Sequence, residues 1–159
     1  MNAGYTVRAA TPEDAAAIRD VHVGAILGLG GSHYTRAELE SWAAGLTPEG
    51  YARAMAEGGE AMEVAQDASG RIVAFCARKD DEVMAVYVRP DAARRGLGSL
   101  LLQRAEAAIA AAGHRTVRIG ASLSGRALYE RHGYHVVEEK GWETRGGLVI
   151  AACDMEKTL

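Results

Sequence analysis

The stretch Val86-Tyr87-Val88-Arg89-Pro90-Asp91-Ala92-Ala93-Arg94-Arg95-Gly96-Leu97-Gly98-Ser99-Leu100-Leu101 constrains the fold more than any other part of the chain. Its β-branched and aromatic start suits a strand. A proline and a basic, glycine-bearing turn follow, and the chain then enters a helical pattern. Leu97, Leu100, Leu101, Ala105, Ala108 and Ile109 recur at helical spacing over residues 97–112, and Gly113 can end the run. A helix N-terminus exposes unpaired N–H groups and carries positive partial charge. Gly96 and Gly98 remove side chains that would hold an anion away from that backbone, and Arg94 and Arg95 add formal charge. This is a physical recipe for holding a pyrophosphate. Taken alone, the same residues also describe a surface loop with turn glycines. They do not make a P-loop, because no Lys-Ser or Lys-Thr pair follows the glycines. Nor do they make a dinucleotide fingerprint, because Leu101 stands where the third glycine belongs.

The remaining chain reads as alternating α and β elements. Residues 5–9 predict a first strand. Thr11-Pro12-Glu13-Asp14 predicts a helix start, with Thr11 as cap and Pro12 at the first helical position. Ile18, Val21, Ala25 and Ile26 give that helix an apolar face. Thr35-Arg36-Ala37-Glu38 is a capping box, and Thr47-Pro48-Glu49 repeats the cap-plus-proline start of a short helix ended by Gly58-Gly59. Residues 61–66, 71–78 and 83–88 predict three strands in an antiparallel meander, joined by turns at 67–70 and 80–81. Strands over 114–119, 134–139 and 148–155 and a helix over 124–132 complete the order. No repeat or interdomain linker interrupts it, so residues 1–159 read as one α+β domain around one sheet.

The glycine turn resembles the acetyl-coenzyme A motif of the GNAT family of N-acetyltransferases. That motif has a valine, a proline two residues on, a glycine, a small residue two further on, and then leucines. Val88, Pro90, Gly96, Gly98 and Leu101 fit it. The arginine or glutamine usual three residues before the first glycine is Ala93 here, with Arg94 and Arg95 adjacent. A second match, from Ala121 through Ser124, Tyr129 and Gly133 to Tyr134, resembles the family's other signature, with Ser124 where many relatives carry asparagine. His33-Tyr34-Thr35, Glu38-Leu39 and Trp42 resemble a helical segment of one subgroup, and Arg145-Gly146-Gly147 through Met155 its last strand.

The resemblance implies a GNAT fold, with a mixed, mostly antiparallel central sheet of about six to seven strands flanked by helices. It implies direct acetyl transfer from acetyl-CoA, the donor co-substrate, to an amine. The pyrophosphate is expected at Arg94, Arg95, Gly96, Leu97, Gly98 and Ser99. The pantetheine arm is expected along Val86, Tyr87 and Val88, with a contact to Ser124. Tyr129 is expected near the thioester sulfur, where a phenol protonated at neutral pH can donate to the departing thiolate. Glu82, six residues before the motif valine, is expected as a general base acting through water. By residue type alone, Tyr129 reads as a ring packed under the sheet and Glu82 as an exposed turn acid. His33, Tyr34 and Trp42 are candidates for substrate contact, and Trp42 reads also as core.

Charge and composition exclude other classes. Lys+Arg total 18 against 21 Asp+Glu, for a net charge of −3, a poor footprint for nucleic acid. Neither a polybasic run nor an apolar stretch long enough for a bilayer is present, so no membrane partner is expected. The start lacks a signal-peptide pattern, and Cys76 and Cys153 lie far apart without a CxxC partner, which suits reduced, buried thiols in a cytoplasmic protein. The five histidines show no metal-ligand spacing, so no metal is expected. No GxSxG elbow supports a hydrolase. The expected partners are a small-molecule or peptide amine acceptor and, from family habit, a second copy in a homodimer. The competing reading is a non-catalytic acyl-CoA-binding regulatory module.

Overall fold

The structure is a computed structural model that describes residues 4–29 and 33–159. Its strands are β1 (Thr6–Ala9), β2 (Ala61–Gln66), β3 (Ile72–Lys79), β4 (Glu82–Val88), β5 (Thr116–Ser122), β6 (His135–Glu143) and β7 (Val149–Thr158). Its helices are α1 (Ala15–Leu27), α2 (Arg36–Ala43), α3 (Pro48–Ala56), α4 (Leu97–Ala111) and α5 (Arg126–Arg131). The strands form one seven-stranded sheet in the order β1-β2-β3-β4-β5-β7-β6. Every neighbouring pair is antiparallel except β4 and β5.

The helix starts follow their caps. Thr35 Oγ1 accepts from Glu38 N at 3.1 Å while Glu38 Oε1 accepts from Thr35 N at 2.8 Å, closing the capping box. Thr47 Oγ1 accepts from Gly50 N at the start of α3. The first helix begins later than its cap predicts. Pro12–Asp14 form a 3-10 turn and α1 starts at Ala15. Asp14 anchors this turn: its carboxylate accepts from Thr11 N and from both terminal nitrogens of Arg8 on β1. That pairing holds the Asp14 carboxyl below the usual range.

Each face of the sheet carries its own core. On one side α4 buries Leu97, Leu101, Leu102 and Ile109 against Val117, Ile119 and Met155. Each such side chain contributes roughly 1.5–3 kcal/mol on leaving water. On the other side Ile18, Val21 and Ile26 of α1 and Trp42 of α2 pack on Phe75 and Val64. Both cysteines are free and buried.

The feature that makes room for a site lies between β4 and β5. They pair only at Glu82↔Arg118 and Val83↔Ile119. Against β3, Ala85 faces Ala77 while Val83 faces Arg78, so Met84 is an extra residue. Such a bulge bends its strand and increases local twist. Met84 follows the last β4–β5 pair, and from there the two strands diverge.

The last hairpin is longer than its pattern predicts. β6 runs on through Lys140, Gly141, Trp142 and Glu143, and β7 on to Thr158. The extra β6 residues are exposed and therefore lack the alternation that marks a half-buried strand.

Candidate active site

A cleft of about 890 Å³ opens where β4 and β5 part. Its walls include Glu82, Val86, Val88, Tyr129, Trp42 and Trp142. The backbone directions along it follow from register. Arg89 N donates to Val73 O, in line with Tyr87↔Phe75, so beyond the Met84 bulge the odd-numbered residues of β4 bond β3. The peptide groups of Val86 and Val88 therefore turn toward β5, where no strand meets them. The same reasoning applies across the gap. Leu159 N donates to Arg115 O in register with Ala121↔Cys153, so Gly120 and Ser122 turn their peptide groups toward β4. Tyr87, expected with its neighbours on the cofactor side, gives its backbone to β3 instead. Its ring packs at 5.9 Å on Phe75 and 4.2 Å from His22.

The glycine turn stands at the end of β4. Ala93 and Arg94 line the cleft, and Arg95, Gly96, Leu97, Gly98 and Ser99 follow. Arg94 and Gly96 both hold left-handed backbone, with φ of 63° and 78°. A non-glycine residue pays about 1–2 kcal/mol for that conformation at Arg94, a strain typical of ligand-gripping turns. Leu100 N is the first amide of α4 with an acceptor, Gly96 O at 3.0 Å. Among the described residues, the amides of 94–99 meet no acceptor. Leu97 contributes only its amide, since its side chain is buried in the core. A Cβ on Gly98 would meet Leu128 Cδ2 at 3.5 Å and Val88 Cγ2 at 3.8 Å, ordinary contacts, so the protein itself does not require glycine there. Ser99 Oγ lies 2.8 Å from His132 Nε2, a contact that joins this turn to the end of α5 and that spacing alone does not reveal.

Tyr129 is 8% exposed on α5 and borders the cleft. Its ring lies close over Gly125, where a Cβ would come within 3.1 Å of Cε2. Its hydroxyl has no hydrogen-bond partner among the described residues, and it is not sealed from the cleft. Burial pushes the phenol well above its usual range, so it stays protonated at neutral pH. Glu82 also borders the cleft, one residue before Val83, the last paired position before the strands part. Arg118 Nη2 reaches it at 3.4 Å but is held mainly by Asp81, with contacts of 2.9 and 3.0 Å. Ser124 lines the cleft beside Gly125.

The expected substrate contacts separate. Trp42 is buried, borders the cleft and meets Tyr34, Tyr87 and Trp142 edge-on. Tyr34 is a latch: its hydroxyl accepts from Leu123 N at 2.9 Å and donates to Ala151 O, tying the end of β5 to β7. Its proton is thereby given to the protein, and Tyr34 does not border the cleft. His33 is exposed and does not border the cleft. Trp142, 40% exposed, and the Lys140–Asp154 ion pair at 2.9 Å do border it. Sequence reasoning missed these because β7 enters the sheet between β5 and β6 and brings the outer hairpin alongside.

A second cavity of about 240 Å³ lies on the α1–α3 side and shares Met84 and Ala85 with the cleft. His22 and Tyr51 line it, 2.7 Å apart at Nδ1 and the hydroxyl. Burial, helped by the charge of Arg145, lowers the His22 pKa to about 3. Burial likewise pushes the Tyr51 phenol up to about 12. Among the described residues no group of His, Cys, Asp and Glu side chains is arranged to hold a metal. No described helix is long and apolar enough to cross a membrane.

Comparison with known proteins places this geometry. Among curated proteins none matches the chain in sequence. Among solved structures, one from Rhodopseudomonas palustris, named GCN5-related N-acetyltransferase: aminotransferase, class-II, is 26% identical with a TM-score of 0.91, covering 100% of this chain and 98% of that one. The PaiA N-acetyltransferase of Thermoplasma acidophilum, in complex with coenzyme A, is 20% identical with a TM-score of 0.76, covering 98% and 99%. A GNAT superfamily phosphinothricin acetyltransferase from Sinorhizobium meliloti, in complex with acetyl-CoA, is 20% identical with a TM-score of 0.68, covering 98% and 89%. The latter two likenesses concern the fold alone. The sequence profile described as acetyltransferase (GNAT) domain matches residues 31–159, a span that holds the parted strands, the glycine turn and Tyr129, and the chain therefore belongs to that family.

Proposed function

We propose that the chain moves an acetyl group from acetyl-CoA directly onto the nitrogen of an amine. The observation that carries this reading is a continuous row of unmet backbone donors and acceptors. It starts at the amides of 94–99, continues along the free peptide groups of Val86 and Val88, and leads to the unbonded hydroxyl of Tyr129. The diphosphate of acetyl-CoA would take the amides and the charges of Arg94 and Arg95. Its pantetheine amides would complete the open edge of β4 as a missing strand would, with Ser124 beside the arm.

The chemistry then needs little from the protein beyond position. The amine nitrogen attacks the thioester carbonyl carbon, forming an N–C bond as the C–S bond breaks. The nitrogen proton leaves through water toward Glu82. The departing sulfur takes a proton from Tyr129 Oη, which is protonated at neutral pH. Holding two substrates together supplies roughly 7–11 kcal/mol in favourable cases. One sheet with a core on each face supports reading residues 1–159 as a single acetyltransferase domain. The exposed edge of β6, with Val137 and Trp142 on its surface, offers a place for a homodimer contact.

Coenzyme A release measured across a panel of amines tests this reading. Tyr129→Phe should lower kcat by about a hundredfold or more, with acetyl-CoA affinity nearly unchanged. Unchanged turnover in that variant would remove the acid role of Tyr129. Tight acetyl-CoA binding without turnover on any amine would leave a binding module instead of an enzyme.

A further inference from the structure

The turn between β6 and β7 carries an arginine mounted with unusual care and given nothing to bind. Thr144, before it, is buried, with its hydroxyl 2.6 Å from Ser41 Oγ and donating to Leu148 O at 2.8 Å. Gly146, after it, donates its amide to Ser41 O at 3.0 Å. It sits so close to α2 that a Cβ would come within 2.5 Å of Ser41 Oγ. Ser41 Oγ also accepts from Leu148 N. The residue between these anchors, Arg145, therefore has its backbone fixed from both sides. Its aliphatic stem lies over Gly45, whose absent Cβ would stand 3.4 Å from Arg145 Cδ and whose φ of 77° itself favours glycine.

The guanidinium, by contrast, has no ion pair or hydrogen bond among the described residues. It lines the second cavity with His22, Tyr51, Phe75 and Glu60. Its charge is felt by His22 and Tyr51 across that space. The other charges at the cleft have partners of their own or a place in the acetyl-transfer reading. Lys140 pairs with Asp154, and Glu82 faces Arg118. Of the acidic and basic residues that line the second cavity, the exposed Arg145 and the half-buried Glu60, neither has a hydrogen-bond or ion-pair partner among the described residues. The cavity meets the cleft at Met84 and Ala85, so an acceptor seated there is next to the parted strands. A planar guanidinium matches a carboxylate in two parallel hydrogen bonds.

Resting on the acetyl-transfer reading above, we propose that Arg145 anchors the carboxylate of the acceptor, so that the preferred acceptors are small amino carboxylates of the amino-acid class. The aromatic floor of His22, Tyr51 and Phe75 receives an apolar side chain, and Glu60 meets the acceptor's cationic amine as it arrives. Polyamines, which carry no anionic group, leave Arg145 without a partner.

The test compares coenzyme A release with amino acids, with their methyl esters and amides, and with spermidine, for the wild-type chain, Arg145→Gln and Arg145→Lys. Free amino acids should be preferred over their esters and amides. Arg145→Gln should raise KM for the preferred acid roughly ten- to hundredfold, the span of a charge-assisted hydrogen-bonded pair, and erase the preference over the ester. Arg145→Lys should recover part of it. Acetyl-CoA affinity by calorimetry should not move, and because the guanidinium holds no protein partner, the fold should tolerate both variants. Wild-type turnover on spermidine or esters in preference to the acids, or an unchanged KM in Arg145→Gln, would overturn the proposal while leaving acetyl transfer intact. Absence of acetyl-CoA binding would instead strike the underlying reading.

Discussion

The two sides of β4 present different atoms to the space between the strands. On the α4 side the polar groups are mostly backbone: the amides of 94–99 and the outward peptide groups of Val86 and Val88. On the α1–α3 side they are side chains, with His22, Tyr51, Trp42 and Arg145 on an aromatic floor. A backbone surface depends on turn geometry and strand divergence and tolerates many sequences. A side-chain surface changes with each substitution. On the acetyl-transfer reading proposed above, the donor side can thus stay constant through large sequence change, while the acceptor side would set what is acetylated.

Two substitutions sharpen that contrast. Gly98→Glu attacks the backbone side. The new Cβ meets only ordinary contacts, so the melting temperature should stay nearly constant. The carboxylate should nonetheless lower acetyl-CoA affinity about a hundredfold by placing negative charge at the anion cradle. Gly96 is a poorer choice, because its left-handed φ would confound strain with charge. Equal affinity in wild type and Gly98→Glu, measured by calorimetry, would break the distinction between the two sides.

A smaller effect is expected from the side-chain side, through pH. His22 titrates at about 3 in the fold and near its ordinary value once unfolded. Its folded pKa is depressed, so the unfolded chain binds the extra proton first. Stability from this site is present above about pH 6.5 and is lost as pH falls toward 3, by up to about 1.4 kcal/mol per pH unit. Urea unfolding of wild type at pH 7 and pH 5 should show the loss, and His22→Gln should show a shallower one. Parallel slopes would mean that the aromatic floor does not hold a neutral imidazole.

The same division explains what could be read from the residues alone. The glycine turn, the capping box of α2 and strand β2 follow from local chemistry and appear where that chemistry puts them. Tyr129 came to notice through its family spacing and does border the cleft. What escaped depends on distant parts of the chain meeting. Trp142 and Lys140 reach the cleft only because β7 enters between β5 and β6. Tyr34 looked like a ligand contact but is spent on Leu123 and Ala151, residues about ninety to 117 positions away. Arg145 stood in the sequence beside two glycines, yet nothing local shows that Ser41 clamps its turn.

The central claim is that unmet backbone groups receive the acetyl donor, and amide hydrogen exchange reads those groups directly. With saturating acetyl-CoA, exchange should slow at residues 94–99 and at Val86 and Val88, while the exposed outer edge of β6 exchanges as before. Unchanged exchange at all of these amides in the presence of bound acetyl-CoA would contradict the account.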